Sequence, residues 1–559
     1  MTASLRVTSH DAGAGGATVV TAGRWIGHGE RAAFGWLSAA RGVATGSGVL
    51  VLPPVGYAWW SSYQTLRLVS ERLARLGHTV VRLQYHGTGN AAGSQSEPDR
   101  LLAWRASVQQ AADELSGLGC DQLTVVGVQV GGSLALEMAR EIGADAVAAW
   151  APVIKGRREA RTLRLRSHAI PDGYPGAGGV SFGGTVFGPE LLAAIADIDL
   201  LTLPSGPGRA LIIDDETAAP LVGRLEELEV LTEHRVLDDE QTLGVAAEDA
   251  VPALQTIEAI TDWIGPAYQP STTGDIRPRP AIEFAWQDTR IREEVVTLGA
   301  HRLVGILTSP ARAACQPGTV VVLNSGSEPH VGPGRAWVEL ARDLAVAGSR
   351  VLRVDFRGWG ESPDDGYAPG RPYDQHCIED TIDILTTLRR RQQGPIVLVG
   401  LCAGAWIALK ATLAEPADAV VAINPQLYWQ PGDPVEALLT DTRKRRTAER
   451  LEEEAGRESG RWDALDRAGH RNAPGAWLDQ LAASETRLFL LSAEGDDGLE
   501  YLENRLALRL ADLIENHGLH VETIPGIDHA MHRTWLRPAM FAAVARAVTA
   551  TRDHTRGEP

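Results

Sequence analysis

Short apolar runs and longer amphipathic stretches alternate along most of this chain. The apolar run Gly48–Leu52 precedes an amphipathic stretch, Tyr63–Leu76, which is followed by a second apolar run, Thr79–Tyr85. The apolar runs have the length of strands, and the amphipathic stretches have the length and spacing of helices. Strands that alternate with helices predict the α/β class, with a mainly parallel, doubly wound sheet.

The same series occurs again in the second half of the chain. It runs through the apolar segment Thr319–Asn324, a helical stretch at Ala336–Ala347 and the apolar segment Arg350–Phe356. Glycine turns follow the third segment of each series, at Gly87 and Gly358. A repeat of this length predicts two copies of one domain rather than a solenoid of short units.

A segment rich in proline, glycine and small polar residues separates the two copies. Such a composition is typical of a linker, so we predict a first domain over 1–268, a linker over 269–281 and a second domain over 282–559. Each domain is expected to begin with a β-hairpin. Each is also expected to carry a helical insertion over its active site, at Lys155–Ala196 and Leu427–Leu481.

Composition narrows the function classes. The 559 residues are 44% hydrophobic and 22% charged, which fits a globular protein of at least two domains. A net charge of −18 argues against nucleic acid as a partner. No long apolar run predicts a membrane span, and the N-terminus does not read as a secretory signal. Four cysteines without paired spacing fit a reduced, cytoplasmic protein, and we expect no metal or organic cofactor.

The most informative motif is the pentapeptide Gly400–Gly404, which has Cys402 at its centre. It lies between the strand-like run Pro395–Val399 and a helical run of small residues, Ala405–Leu413. A strand, a tight glycine-flanked turn and a helix form the nucleophile elbow of α/β-hydrolases, here with a thiol in place of the usual hydroxyl. A lone cysteine is most often a small buried hydrophobe, so it is this placement that indicates a catalytic thiol.

A thiol attacks as the thiolate and needs a base, and a histidine base needs a carboxylate that orients it. In this fold the order along the chain is nucleophile, acid, histidine. His529 follows the last predicted strand, where the base belongs. The acid should follow the preceding strand, and we favour Asp496, with Asp497 and Asp528 as alternatives.

An oxyanion that forms during acyl transfer needs two backbone donors. One should be the amide of Ala403, directly after the nucleophile, and the other should come from the polar turn that contains Ser325, Gly326 and Ser327. Arg335 follows this turn and could bind a substrate carboxylate or a phosphopantetheine phosphate. The alternative is that Arg335 braces a loop through charge-assisted hydrogen bonds.

The first copy lacks two of the three catalytic groups. Gln129 holds the nucleophile position, and Leu243 lies opposite His529 when the two copies are set against each other. An acid turn remains at Asp214 and Asp215. We therefore predict no covalent chemistry in this copy, which leaves binding of an acyl chain or partner, or structural support, as its role.

These motifs resemble those of tandem serine-aminopeptidase-like or lysophospholipase-like α/β-hydrolases. They are also similar to bacterial hydrolases found with acyl-AMP ligases and acyl carrier proteins, including the exosortase-associated type. The segments that carry the resemblance are Leu323–Gly326, His330–Pro333, Asp355–Ser362 and Gly400–Ala405, with Leu52–Tyr57 and Gly87–Gly89 in the first copy. The first copy departs from the pattern at Gln84 and Asn90, where acidic residues are usual.

The resemblance implies an acyl transferase or thioesterase that acts on a carrier-protein or coenzyme A thioester through an acyl-Cys402 intermediate. A plain esterase or peptidase, and a non-catalytic scaffold, remain alternatives. Carrier proteins are acidic, so basic patches on the insertions would help docking, although solvated helix faces would look the same. The candidate patches consist of Arg157, Arg158, Arg161, Arg164 and Arg166, and of Arg443–Arg446.

Overall fold

The computed structural model describes residues 8–10, 18–41, 46–167, 174–245, 250–267, 279–312, 316–367, 371–391, 394–427, 474–506 and 508–557. The chain forms two compact units, Met1–Ala246 with Ala250–Asp288, and Thr289–Pro559 with Ala247–Asp249. The division at residue 288 falls shortly after the predicted linker, most of which lies outside the described residues.

The first unit is built on a mixed sheet. Its strands are β1 (Thr8–His10), β2 (Val19–Ile26), β3 (Ala33–Ala40), β4 (Ser47–Leu52), β5 (Thr79–Gln84), β6 (Gln122–Val128), β7 (Ala146–Trp150), β10 (Arg209–Ile213) and β11 (Leu231–Arg235). They occur in the order β1-β2-β3-β5-β4-β6-β7-β10-β11. Strands β4 to β7, β10 and β11 are parallel to their neighbours in this group, and β2 and β3 form the predicted antiparallel hairpin.

Helices alternate with most of these strands along the chain. They are α1 (Tyr57–Arg75), α2 (Arg100–Gly117), α3 (Val130–Met138), α4 (Gly156–Ser167), α5 (Pro189–Ala196), α6 (Ala219–Glu227) and α7 (Leu254–Ile264). The predicted insertion contains α4 and α5 and a small hairpin of β8 (Val180–Phe182) and β9 (Thr185–Phe187). One further strand, β12 (Ala281–Trp286), lies near the boundary of the two units.

The second unit repeats this architecture. Its strands are β13 (Thr289–Leu298), β14 (Leu303–Pro310), β15 (Thr319–Val322), β16 (Val351–Val354), β17 (Ile396–Leu401), β18 (Ala419–Ile423), β19 (Arg487–Ala493) and β20 (Leu519–Ile524). They occur in the order β13-β14-β16-β15-β17-β18-β19-β20. Strand β14 is antiparallel to both neighbours, and all pairs from β16 to β20 are parallel.

The helices of this unit are α8 (Ala336–Val346), α9 (Gln375–Arg391), α10 (Ala403–Ala414), α11 (Pro474–Ala482), α12 (Asp497–Leu506), α13 (Leu508–Asn516) and α14 (Arg537–Arg556). The predicted insertion at Leu427–Leu481 lies mostly outside the described residues, which include α11 at its end. Both faces of each sheet are covered by apolar clusters. Parallel strands buried on both faces read as continuous apolar runs, as β17 does, and this confirms the predicted α/β class.

None of the helices in the described part of the chain is long and apolar enough to cross a membrane.

Candidate active site

The turn between β17 and α10 has the geometry of a nucleophile elbow. Cys402 adopts φ 54° and ψ −113°, a region that costs free energy for any residue other than glycine. Gly400 and Gly404 allow the turn to be this tight. A Cβ atom added to Gly404 would lie 2.5 Å from the carbonyl oxygen of Asn324, and one added to Gly400 would meet the backbone of Gly404. Close packing on both sides therefore holds Cys402 in its strained conformation.

The structure brings His529 and Asp496 into direct contact. Nδ1 of His529 lies 2.6 Å from Oδ2 of Asp496, whose side chain is only 3% exposed. Asp496 follows β19, whereas Asp497 is the first residue of α12. Because Nδ1 faces the carboxylate, Nε2 is the ring nitrogen left for the thiol. Of the two adjacent candidate acids, Asp496 is thus the one that contacts the histidine.

The imidazole of His529 also lies close enough to Cys402 for the sulfur to raise its pKa. Burial lowers the pKa of His529, but the charges and hydrogen bonds of Cys402 and Asp496 together raise that pKa well above its usual value. The sulfur and the carboxylate therefore both stabilise the imidazolium that forms when the thiol gives its proton to His529. The three side chains follow β17, β19 and β20, at the carboxyl ends of parallel strands, where α/β sheets place their ligands.

Asn424 connects the loops that carry the acid and the base. Its Nδ2 donates to the carbonyl oxygen of His529 at 2.7 Å, and its Oδ1 accepts from the amide of Ala493 at 2.7 Å. The residue is fully buried and has φ 44°. Sequence analysis missed Asn424, although its position directly after β18, beside the elbow strand, was a usable signal.

Two further side chains that sequence analysis missed contact the sulfur of Cys402. The hydroxyl oxygen of Tyr373 lies 3.7 Å from Sγ, and Oε1 of Gln426 lies 3.4 Å from it. These two side chains also contact each other, with 3.2 Å between the hydroxyl and Oε1. Tyr373 comes just before α9, and its ring packs edge-on against Trp406 at 5.4 Å between centroids. Neither residue belongs to a recognisable motif.

The predicted oxyanion donors lie beside the elbow. Ala403 begins α10, and the N–H groups in the first turn of a helix have no partner within the helix. The turn with Ser325, Gly326 and Ser327 directly follows Asn324, the residue in close contact with Gly404. Within the described part of the chain, the buried hydroxyl of Ser327 has no hydrogen-bond partner. The structure thus brings both candidate segments to the nucleophile.

A buried polar cluster holds this turn in place. Asp355 accepts from Nδ2 of Asn324 at 3.1 Å and from the ring of His330 at 2.6 Å. Burial raises the pKa of Asp355, but His330 and Asn324 outweigh that effect, so the pKa lies below its usual value. Oδ1 of Asn324 in turn accepts from the amide of Phe356 at 2.9 Å. The segments that carried the family resemblance therefore support the oxyanion turn.

The position of Arg335 fits its structural alternative. The residue is 4% exposed, and its charge helps to lower the pKa of Glu293 against the effect of burial. Glu293 is itself fully buried and forms ion pairs with Arg342 at 2.8 Å and with Arg353 at 3.5 Å. A guanidinium within such a cluster braces the interior of the unit. Binding of a substrate carboxylate or of a phosphopantetheine phosphate by Arg335 does not agree with this burial.

The first unit keeps the elbow without its chemistry. Gln129 adopts φ 48° and ψ −119°, and a Cβ atom added to Gly131 would meet the carbonyl oxygen of Leu52. Asp214 follows β10, as Asp496 follows β19. The nearby His234 contacts the backbone carbonyl of Asp214 at 3.2 Å through Nε2.

Leu243, which lies opposite His529 when the two copies are set against each other in sequence, is partly buried and packs against the apolar cluster on one face of the first sheet.

Comparison with known families supports a hydrolase fold. Residues 316–459, which include the elbow, match the family model of serine aminopeptidase, S33, and this match covers about a quarter of the chain. The second unit is thus similar to a family of hydrolases.

Several solved structures resemble about half of the chain. An α/β serine hydrolase without a lid from Xanthomonas campestris is 17% identical over 45% of this chain and 94% of its own, with a TM-score of 0.28. The thioesterase domain from the curacin biosynthetic pathway is 18% identical over 46% and 99%, with a TM-score of 0.30. Proline iminopeptidase from Mycobacterium smegmatis is 15% identical over 47% and 99%, with a TM-score of 0.32.

Proposed function

Starting from two units with the α/β-hydrolase fold, we propose that this chain is an acyl transferase or thioesterase whose intermediate is an acyl thioester of Cys402. The observation that carries the proposal is the position of one imidazole, that of His529, which contacts the carboxylate of Asp496 and lies close enough to Cys402 for the sulfur to raise its pKa. A thiolate beside an imidazolium is the form of cysteine that attacks carbonyl groups.

Acylation would begin with transfer of the thiol proton to Nε2 of His529. The sulfur of Cys402 then bonds to the carbonyl carbon of the substrate thioester, and the carbonyl oxygen becomes an oxyanion. The amide of Ala403 and a donor from Ser325–Ser327 would stabilise that charge. When the oxyanion collapses, the bond to the leaving thiol breaks, and the imidazolium returns its proton to the leaving sulfur.

In the second half of the reaction an acceptor attacks the acyl group on Cys402. His529 would take a proton from the acceptor, and the proton then passes to the sulfur of Cys402 as the acyl–sulfur bond breaks. Water as acceptor gives hydrolysis, and an amine, alcohol or thiol gives transfer. A thioester substrate suits a cysteine nucleophile because the first step exchanges one thioester for another with little change in free energy.

A second candidate is a plain esterase or peptidase with the same three catalytic groups. It is favoured by the match of residues 316–459 to the serine aminopeptidase family model. The two candidates differ in the leaving group: a thiol for the first, and an alcohol or amine for the second.

The partner that would present the acyl group is an acidic carrier protein. Helix α4 supports this proposal, because it carries five arginines and one glutamate in a chain whose net charge is −18. Arg157, Arg158, Arg161, Arg164 and Arg166 are all exposed. The second predicted patch, Arg443–Arg446, lies outside the described residues.

We assign no covalent chemistry to the first unit, where Gln129 and Leu243 replace the nucleophile and the base; its role would be binding or support. The reaction is placed in the cytoplasm, because its thiol must stay reduced. Of the cysteines, Cys120, Cys377 and Cys402 are free, and Cys315 lies outside the described residues.

Intact-protein mass spectrometry tests the proposed intermediate. The chain is incubated with acyl thioesters of pantetheine of several chain lengths and with oxygen esters of the same acyl groups. A mass gain of one acyl group, located on Cys402 and absent from C402A, is the expected result, and it should form faster from thioesters. No acylation from any thioester would overturn the proposal, and faster turnover of oxygen esters or peptides would favour the second candidate.

A further inference from the structure

The sulfur of Cys402 has two neighbours besides His529 that bear on its charge. Oε1 of Gln426 lies 3.4 Å from Sγ and can only accept a hydrogen bond, so it is placed to receive the thiol proton. The hydroxyl of Tyr373 lies 3.7 Å from Sγ and 3.2 Å from Oε1 of Gln426, so it can donate to either atom. Three polar side chains thus meet at one sulfur.

The two neighbours favour opposite charge states of the sulfur. While the thiol is protonated, Gln426 can accept from both Cys402 and Tyr373. Once the proton has moved to His529, the sulfur becomes an acceptor, and the carbonyl oxygen of Gln426 faces a negative charge without a hydrogen between them. Rotation of the Tyr373 hydroxyl about its C–O bond then turns its proton from Gln426 towards the sulfur. A hydrogen bond to a charged group is stronger than one to a neutral group.

The first unit provides an internal comparison. Ala151 and Asn424 occupy the same place, directly after the strand beside the elbow strand, and both have positive φ, at 47° and 44°. Two residues later the first unit has Val153, and the second unit has Gln426. The unit without a thiol therefore has an apolar side chain where the unit with a thiol has an amide.

Tyr373 is held rigidly enough for this task. Its side chain is 3% exposed and packs edge-on against Trp406, a buried residue of α10. Within the described part of the chain, the other titratable group whose charge couples to the sulfur is His529, which follows β20. Asp496, which follows β19, acts on the sulfur through His529. The hydroxyl can rotate while the ring stays fixed.

We propose that Tyr373 and Gln426 form a proton switch at Cys402: Gln426 holds the thiol in its neutral resting form, and Tyr373 stabilises the thiolate by transferring its hydrogen bond from Gln426 to the sulfur. The role of the switch rests on the proposed function, since the switch would regulate acylation at the same site. The ionisation of the thiol, which the switch would control, does not depend on which substrate is used.

The rate of alkylation of Cys402 by iodoacetamide, measured against pH by peptide mass spectrometry, tests the switch without a substrate. Tyr373→Phe removes the donor, so the midpoint of the pH–rate profile should rise by about one pH unit. Gln426→Met removes the competing acceptor, so the midpoint should fall. Tyr367→Phe, which alters a ring stacked on His376 in the same unit, should leave the midpoint unchanged.

Opposite shifts in the two variants support the switch. An unchanged midpoint in Tyr373→Phe, with or without a lower melting temperature, would overturn it, because a purely structural tyrosine affects stability but not ionisation. A rise in Gln426→Met would also overturn it, since the amide would then be a donor to the thiolate. If the shifts occur but acyl thioesters never label Cys402, the proposed function fails while the switch stands. If acyl thioesters label Cys402 but the shifts do not occur, the switch fails while the proposed function stands.

Discussion

Gln129 and Cys402 adopt nearly the same backbone conformation, with φ 48° and ψ −119° in one and φ 54° and ψ −113° in the other. Each amide donates to a carbonyl oxygen of the neighbouring strand, that of Trp150 and that of Ile423, at 2.9 Å. The strain at the elbow is therefore maintained by the packing of sheet and helix, whether or not the side chain can react. The reaction proposed for the second unit therefore depends on the groups that surround the turn.

Asp496→Asn should lower kcat by roughly 10³–10⁴-fold, because an amide cannot hold the histidine in the tautomer that presents Nε2 as a base. Asp497→Asn is the matched control, since it removes the same charge from the adjacent residue, and it should change kcat little. Steady-state kinetics with a thioester substrate measure both variants. Equal losses in the two, or a loss in Asp497→Asn alone, would show that Asp496 is not the acid of the triad.

Cys402→Ala should lower the pKa of His529. In the intact site burial lowers that pKa, while the charges and hydrogen bonds of Cys402 and Asp496 raise it well above its usual value. Removal of the sulfur leaves Asp496 as the remaining partner, so the imidazole should lose its proton at lower pH in the variant. Acylation of the sulfur should act in the same direction and leave more of His529 in the neutral form, which can take a proton from the acceptor in the second half-reaction.

An NMR titration of the histidine ring protons gives both values. Cys377→Ala is the control, since that thiol is fully buried elsewhere in the unit, and it should leave the titration of His529 unchanged. The same pKa in the wild type and in Cys402→Ala would mean that sulfur and imidazole share no charge.

Gly404→Ala should abolish acylation and lower stability by about 2 kcal/mol or more, because the new Cβ would force apart α10 and the turn after β15. Gly131→Ala creates the corresponding clash with Leu52 in the first unit. It should lower stability similarly and leave the acylation rate of Cys402 unchanged. Thermal unfolding and intact-protein mass spectrometry separate the two effects.

Glu293→Gln should destabilise the protein by about 3–5 kcal/mol, because it removes the buried carboxylate that forms ion pairs with both Arg342 and Arg353. Burial already lowers the pKa of Arg353 to about 10, against the opposing effect of Glu293. Glu294→Gln, next along the strand, breaks a partly exposed pair with Arg292 and should cost at most about 0.5 kcal/mol. Urea-induced unfolding of the whole chain measures the difference; similar costs would mean that the buried cluster contributes no more than a surface pair.

Arg161→Glu should raise KM about three- to tenfold for an acyl group on a carrier protein, and it should leave KM for the acyl-pantetheine thioester unchanged. Arg140→Glu reverses an exposed charge outside α4 in the same unit and is the control. The effect of Arg161→Glu should shrink as salt is added, since exposed charges are screened. Equal KM values for both substrates in all variants would exclude α4 as the docking surface.

The fold could be predicted from the sequence because buried parallel strands have a simple pattern. Strand β17 extends two residues beyond the predicted end at Val399, and α10 begins at Ala403, two residues before the predicted start. Helix α1 begins at Tyr57 rather than Tyr63, since its first turn carries two tryptophans that obscure the amphipathic period. Such differences arise at element ends, where local pattern is weakest.

From the sequence, only those residues of the candidate site that follow the ends of strands could be predicted. Cys402 and His529 each follow a strand in an order that the fold prescribes. The sequence favoured Asp496 as the acid but left Asp497 and Asp528 as alternatives, because it does not show which side chain turns towards the histidine. Tyr373 and Gln426 reach the sulfur from separate loops, and no spacing along the chain encodes that meeting. The sequence alone left substrate binding open for Arg335, because the carboxylate of Glu293 that it meets lies on β13, about 40 residues earlier in the chain.

The side chain of Asn424 couples two segments of the site. Because its amide group hydrogen bonds both the carbonyl of His529 and the amide of Ala493, the loop with His529 and the strand that leads to Asp496 are linked to each other. A displacement of either segment would carry the other with it, so the 2.6 Å spacing between imidazole and carboxylate can persist while the surroundings move. Adjustment to acyl groups of different size would then fall to segments that the Asn424 amide does not join.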